Sequence, residues 1–265
     1  MPEVDAGAPV ADAEELSLLR EAGRAAGAIA MRYFGKEPQV WMKAGTSPVS
    51  EADYAADTYL RETLLAARPA YGWLSEETAD HPARLSARRT FVVDPIDGTR
   101  GFLAGSDAWC VSVAIVEDGR SVAGVLECPA RGETYWATAG GGAFRNDEPI
   151  RVRAPGEILD VAGPKPMFDR MPEPWQSRFR RVAYSPSLAV RLALIAGGEL
   201  DASFVKPNAH DWDIAAAELI LIEAGGRLLD RFGRIPAFAG EDIRHGALAA
   251  GSGELLDAMV ARLDA

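Results

Sequence analysis

Cysteine is scarce in this 265-residue chain, which has only Cys110 and Cys128. They stand apart in the apolar runs AWCVSVAIV and AGVLECPA without a C-x-x-C spacing, which excludes a cysteine-type zinc site and reads as two reduced core thiols. Long hydrophobic runs are missing as well. The longest apolar stretches are interrupted by Glu127, Glu218 and Glu223, short of the ~20 residues a membrane helix needs. Positive charge is in deficit, with 28 Lys+Arg against 39 Asp+Glu and a net charge of −11. That balance argues against gripping a nucleic acid polymer or an anionic membrane through Lys and Arg. The N-terminal run MPEVDAGAPVADAEEL is acidic where a signal peptide is basic and then apolar, so a cytoplasmic location is expected.

What is present is an ordinary globular composition, 48% hydrophobic, in a chain long enough for one large or two modest domains. After an Ala/Pro/Asp-rich tail that reads as disordered, Asp12 and Glu15 form a capping-box spacing. Leu16, Leu19, Gly23, Ala26 and Tyr33 follow at helical intervals. An AGTSP turn leads to a second helix capped by Ser50 and ended by Pro69. Strands are expected at YGWLSE and TFVVD, then a hairpin, WCVSVAIV-EDG-RSVAGVLEC, with Asp118-Gly119 as its turn. This hairpin could serve as core or as part of a homodimer interface. Another strand, ETYWATA, ends at the glycines 140–142. The composition shift from Pro155 to Pro174 reads as a boundary between two halves, 1–155 and 156–265. Beyond it strands (RVAYS, LDASFVK, RLLD, GALAA) alternate with helices (LAVRLALIA, DWDIAAAELILIEAGG, GELLDAMVARL), which points to layered α and β.

Three acidic clusters carry the chemistry. In Asp94-Pro95-Ile96-Asp97-Gly98-Thr99, two carboxylates close the apolar strand Phe91-Val92-Val93, where desolvated negative charge is costly unless a cation meets it. Hard divalent cations such as Mg²⁺ take oxygen ligands and suit the place. Pro95 fixes the turn, Gly98 permits a close or left-handed backbone, and Thr99 offers a hydroxyl and N–H at a helix start suited to phosphate oxygens. The same residues are also common in plain turns. In Ser75-Glu76-Glu77-Thr78, adjacent glutamates on an extended chain point to opposite sides, so one can reach a cation while the other faces solvent or a supporting partner. Asp211-Trp212-Asp213 opens a helix apolar on nearly every face; Asp211 reads as its N-cap and Asp213 as a first-turn acid held near the core.

In this order and spacing, the three segments resemble the inositol monophosphatase superfamily of Mg²⁺-dependent, typically lithium-sensitive phosphatases. The matching residues are Glu76-Glu77, Asp94 to Thr99, and Trp212-Asp213 followed by Glu223-Ala224-Gly225-Gly226, with Lys43, Ser47-Pro48-Val49 and Asp53 upstream. The resemblance runs from about residue 12 to about residue 250. It implies an α+β layered sandwich with alternating αβαβα layers, as in inositol monophosphatase and fructose-1,6-bisphosphatase. It also implies two or three Mg²⁺ ions per site, held by Glu76, Asp94, the Ile96 carbonyl, Asp97 and Asp213. Thr99 and Asp53 would orient and help deprotonate the attacking water, with Glu76 among the catalytic residues.

The metal ligands do not select the ester; the groups around the leaving alcohol do. Seven residues before Asp213, where inositol phosphatases commonly carry an acid, stands Lys206, suited to a second anionic group. The wordings Leu74-Ser75-Glu76-Glu77 and Asp97-Gly98-Thr99-Arg100-Gly101-Phe102 are also similar to those of the bacterial 3′(2′),5′-bisphosphate nucleotidases. The expected substrate is therefore adenosine 3′(2′),5′-bisphosphate, then inositol-1-phosphate, then histidinol phosphate. Gly98, Thr99, Lys43, Lys206 and His210 are the expected substrate contacts. A catalytically silent phosphate-binding regulator is the alternative of another class; the full set of ligands, with Thr99 and Asp53, argues against it.

Overall fold

The first helix begins where the sequence supplies a cap. A computed structural model, which describes residues 11–43, 47–183 and 185–263, starts α1 (Ala13–Met31) directly after Asp12. The Asp12 carboxylate accepts from the Glu15 N–H, and Glu15 returns the bond to the Asp12 N–H. A short ribbon follows, β1 (Val40–Lys43) antiparallel to β2 (Ser47–Ser50). The Ser-Pro of the expected AGTSP turn thus belongs to a strand, its residues 44–46 lie outside the described residues, and so does the tail 1–10. Ser50 caps α2 (Glu51–Ala67) as expected, and the third residue of that helix, Asp53, completes its capping box.

A seven-stranded sheet comes next, with β3 (Gly72–Ser75), β4 (Arg89–Asp97), β5 (Cys110–Glu117), β6 (Arg120–Cys128), β7 (Glu133–Thr138), β8 (Gly142–Arg145) and β9 (Glu148–Pro149) adjacent in chain order. Only β3 and β4 run parallel; the later pairs are antiparallel. The short helix α3 (Thr99–Leu103) lies between β4 and β5 in the chain. Asp118 and Gly119, at φ 50° and 75°, supply the two positive φ angles a tight hairpin turn requires.

A second sheet is built from β10 (Leu159–Ala162), β11 (Phe179–Arg181), β12 (Ala202–Val205), β14 (Arg227–Leu229) and β16 (Leu248–Gly251), in the order β11-β10-β12-β16-β14. Its helices are α4 (Lys165–Phe168), α5 (Glu173–Gln176), α6 (Leu188–Ala196), α7 (Asp211–Glu223) and α8 (Gly253–Val260). A two-stranded ribbon pairs β13 (Ala209–His210) with β15 (Arg244–His245). The sequence pattern conceals one strand here and displaces another. The Pro155–Pro174 stretch holds β10, a fully buried interior strand whose LDVA run is short and hidden between turn-forming flanks. The strand placed at RVAYS lies two residues earlier, at β11; the Val182 N–H still bonds the Val161 carbonyl, Tyr184 lies outside the described residues, and Pro186 has no N–H with which to extend the ladder.

Alternation along β4–β6 assigns the layers. Phe91, Val93, Val113, Ile115 and Val125 pack with Leu19 and Ala26 of α1 and Leu60 and Leu64 of α2. Val92, Ala114 and Leu126 turn the other way, onto α6 and α7, whose far side meets Val205, Leu228 and Ala250 of the second sheet. Leu159, Phe204 and Ala249 then pack with Leu255, Leu256 and Met259 of α8. The result is the expected α/β/α/β/α sandwich. The hairpin from Trp109 to Val125 is core within this chain, since helices cover both of its faces. Cys110 and Cys128 are buried free thiols. Helix α7 approaches β6 closely: a Cβ on Gly124 would lie 2.9 Å from the Ala216 carbonyl oxygen. No described helix is long and apolar enough to cross a membrane.

Buried in the middle of α7 is Glu218, whose Oε1 meets no donor among the described residues. Burial pushes its carboxyl up to about 8, opposed only by the charge of Arg120. The unfolded chain ionises this group near 4.5 and the folded chain does not, so its contribution to stability falls as pH rises from 4.5 toward 8. Glu218→Gln is expected to remove that loss and stabilise the protein at pH 7 by on the order of 2–3 kcal/mol. Urea unfolding of both proteins at pH 5 and pH 7 checks this; equal pH slopes would contradict it.

Candidate active site

The site forms because several chain segments deliver acids to one sheet edge. Strands β3 and β4 run parallel with Ser75 beside Val93, and the Glu76 N–H extends the ladder to the Val93 carbonyl. Glu76 therefore leaves the sheet next to Asp94. Asp97 ends β4, and Gly98, at φ 92°, turns the chain directly into α3. A Cβ at Gly98 would lie 2.9 Å from the Ala108 carbonyl oxygen and 3.0 Å from the Ser187 Cβ, so the turn needs glycine. Helix α7 packs across β4 and β5 and brings Asp213 to the same place.

Asp94, Asp97 and Asp213 each contribute a carboxylate oxygen to a set lying within 4.8 Å of one another. They share a cavity of about 220 Å³ with Glu76, Ile96, Gly98 and Thr99, rimmed by Pro48, Arg100 and Pro186. Each Asp is held by the protein. Asp94 accepts from the Ile96 N–H at 3.0 Å, and Asp213 from the His210 N–H at 2.7 Å. Asp97 accepts from the Ser187 hydroxyl and, at 2.7 Å, from the Ala189 N–H, both at the start of α6. Asp53 accepts from the Ser50 N–H at 2.8 Å and from the Thr99 hydroxyl at 3.1 Å. That hydroxyl lies equally far from the Ile96 carbonyl.

The electrostatics are those of crowded buried acids. Burial, and then the charges of Glu76, Asp97 and Asp213, raise Asp94 well above the usual carboxylate range. Burial and Asp97 do the same to Asp213. Asp97 rises to about 6, its burial partly offset by Ser187 and the α6 N–H groups. Asp53 is raised by burial against its hydrogen bonds. A divalent cation fits this donor set, because oxygen ligands within mutual reach and otherwise repelling charge are what a hard ion satisfies.

The inositol monophosphatase family model matches residues 12–264. The chain belongs to the inositol monophosphatase family. It is 36% identical over 235 residues to the inositol-1-monophosphatase of Mesorhizobium japonicum, covering 82% of this chain and 86% of that one. It is 37% identical over 226 residues to a Streptomyces griseus protein named glucose-1-phosphate thymidylyltransferase, covering 82% of this chain and 85% of that one. The crystal structure of the extragenic suppressor protein suhB from Bartonella henselae superposes with a TM-score of 0.84 at 30% identity, covering 95% of this chain and 99% of that one. Membership makes this protein a phosphatase acting on small phosphate esters.

The chain's other expected contacts are not all brought to the carboxylate cavity. Lys43 is not free for substrate: its Nζ bonds Glu76 at 3.2 Å and Glu77 at 2.5 Å. Glu76 and Glu77 thus do not point to opposite sides, because the chain bends immediately after β3. Burial, opposed by Lys43, brings Glu77 to about 7. Lys206 does not line the carboxylate cavity; it lines a separate one. His210 stacks on Trp212 with ring centroids 4.6 Å apart, and burial lowers its pKa. Asp211 is the first residue of α7, with His210 at the cap; its buried carboxylate instead accepts from the Ala239 N–H at 2.6 Å and pairs with His245 at 2.7 Å. Sequence does not announce the roles of Ser187 and Ala189, since a long-range bond to Asp97 leaves no local pattern beyond a serine before an apolar helix.

Because the folded-state carboxyls titrate above their unfolded values near 3.8, metal-free protein is expected to lose stability as pH rises from 4 through 6 and beyond. In EDTA at pH 8, Asp94→Asn should therefore raise Tm by roughly 2–4 °C or more, about 1 kcal/mol at this chain length. Differential scanning fluorimetry decides; a Tm lower than wild type would mean the carboxylates do not repel.

Proposed function

We propose that the protein is a Mg²⁺-dependent phosphomonoesterase that hydrolyses its ester with water and forms no phospho-enzyme. The observation that carries this reading is the three-aspartate set beside the Thr99 hydroxyl, in a cavity that also holds Glu76. Asp94, Asp97, Asp213, Glu76 and the Ile96 carbonyl would hold the ions. When bound, Mg²⁺ would polarise the phosphoryl oxygens, neutralise the charge developing on the leaving oxygen and make water more acidic.

The rest is work for the chain's own groups. The Thr99 hydroxyl can donate a hydrogen bond to Asp53 or to the Ile96 carbonyl, which leaves an oxygen lone pair to accept a hydrogen bond from an attacking water and orient it. Asp53, buried and raised, can take the proton onward. Lys43 holds Glu76 in place through its Nζ. In-line attack then needs positioning and charge stabilisation but no covalent nucleophile.

For the ester, we favour adenosine 3′(2′),5′-bisphosphate on the wordings Leu74-Ser75-Glu76-Glu77 and Asp97 to Phe102, which are similar to those of the bisphosphate nucleotidases, since Lys206 lines a separate cavity. Inositol-1-phosphate is the second reading, supported by the names of relatives such as the Mesorhizobium japonicum protein. Phosphate release is expected to require Mg²⁺, to vanish in EDTA, and to fall at least ~10³-fold in Asp213→Asn with the fold intact by circular dichroism. Full activity in EDTA would contradict the mechanism. Side-by-side kcat/KM values should rank adenosine 3′,5′-bisphosphate above inositol-1-phosphate and histidinol phosphate; the reverse order would overturn the substrate preference and leave the phosphatase assignment intact.

A further inference from the structure

A second cavity, of about 830 Å³, opens where β10 and β12 end. These strands are parallel, so the segment after β10, from Pro164 to Arg170, and the one after β12, Lys206-Pro207, emerge at one sheet edge. The same edge serves the active site. Strand β11, also parallel, exits toward Pro186, and the β12 exit continues through β13 to Asp213. None of the residues lining the two cavities is shared.

This cavity inverts the charge of the chain. Lys165, Arg170, Lys206 and Arg231 line it against one acid, Asp230, in a protein with 28 cationic and 39 acidic residues. Asp230 is occupied by its own turn, where Oδ1 accepts from the Phe232 and Arg234 N–H groups at 2.8 and 2.9 Å. Lys165 is paired with Asp169, whereas exposed Lys206 makes no ion pair among the described residues. The remaining lining is largely apolar. Phe232 is 63% exposed, and the Arg231 guanidinium lies over its ring, 4.3 Å from the centroid. A bare inorganic anion would engage the cations and leave this ring in water; a phosphate attached to an apolar ring would engage both.

We propose that this cavity is a second anion site that takes an organic phosphate, with its head group on Lys206 and Arg231 and its ring against Phe232 and Met167. Such a phosphate can come from two sources, the far end of a bound bisphosphate substrate or a separate molecule. Only the first rests on the substrate preference argued above.

Equilibrium dialysis of phenylphosphonate, which carries a ring and a phosphorus dianion and cannot be hydrolysed at an ester bond, tests the site in Mg²⁺ and again in EDTA. In EDTA the carboxylate cavity has no cation to attract an anion, so binding that persists reads the second cavity. The expected result is one saturable equivalent in EDTA, weakened about 10-fold or more in Lys206→Ala/Arg231→Ala and by added salt. Phe232→Ala should weaken phenylphosphonate but not inorganic phosphate. No saturable binding in EDTA, or binding undiminished in the double variant while its melting curve matches wild type, would overturn the proposal. With binding lost in Arg231→Ala, a raised KM for adenosine 3′,5′-bisphosphate assigns the site to the substrate's far phosphate, and an unchanged KM assigns it to a separate molecule. Absence of Mg²⁺-dependent turnover with dialysis binding intact would overturn the catalytic reading and leave this site standing.

Discussion

The mutual repulsion of Asp94 and Asp97, buried at the end of one strand, and Asp213, half-buried at the start of one helix, is the constraint around which the molecule is arranged. Three like charges within 4.8 Å in a low-dielectric setting raise one another's pKa and oppose folding unless they are protonated or a cation joins them. The surrounding structure holds them together nonetheless. Parallel β3 and β4 fix the edge, Gly98 allows the turn, and α7 is wedged between two sheets by an almost wholly apolar surface. Local stability is thereby traded for a place where a divalent ion and an anionic ester can meet.

Helix starts do much of the holding. Asp53 closes the cap of α2, Asp97 accepts from the first turn of α6, and Asp213 accepts from the residue that caps α7. In each case a carboxylate satisfies donors that a helix end would leave open, while the positive end of the helix dipole offsets its charge. The same residue thus serves fold and site, which is why the capping boxes of α2 and α7 coincide with this chain's chemistry. Asp211 extends the pattern: its contacts to Ala239 and His245 tie the start of α7, and so the backbone of Asp213, to the strap that runs into β15.

Much of this was legible beforehand. The capping box at Asp12, the cap at Ser50, the Asp118-Gly119 turn, and the apolar runs of α6, α7 and α8 are local signals, and each reappeared as an element. Motif order likewise indicated Glu76, Asp94, Asp97, Thr99 and Asp213 as neighbours. What escaped depends on contacts between distant segments. Strand β10 is four residues long amid prolines and is stabilised by neighbours on both sides. Ser187 reaches Asp97 across 90 residues, and Lys43, at the end of β1, bonds both glutamates beyond β3. The seven-residue spacing from Asp213 puts Lys206 near the site in sequence, but β13 intervenes and that segment lines a different cavity.

An acidic protein can therefore handle a phosphate ester by concentrating, not reversing, its negative charge, provided a cation completes the site. That dependence is best tested by titrating Mg²⁺ into metal-free protein at pH 6 by calorimetry, in buffers of different ionisation enthalpy. Since Asp97 sits at about 6 and burial and neighbouring charge hold Asp94 and Asp213 well above the usual carboxylate range, binding should release protons, seen as an enthalpy that varies with the buffer. Mg²⁺ binding without proton release, or no binding at all, would contradict the account.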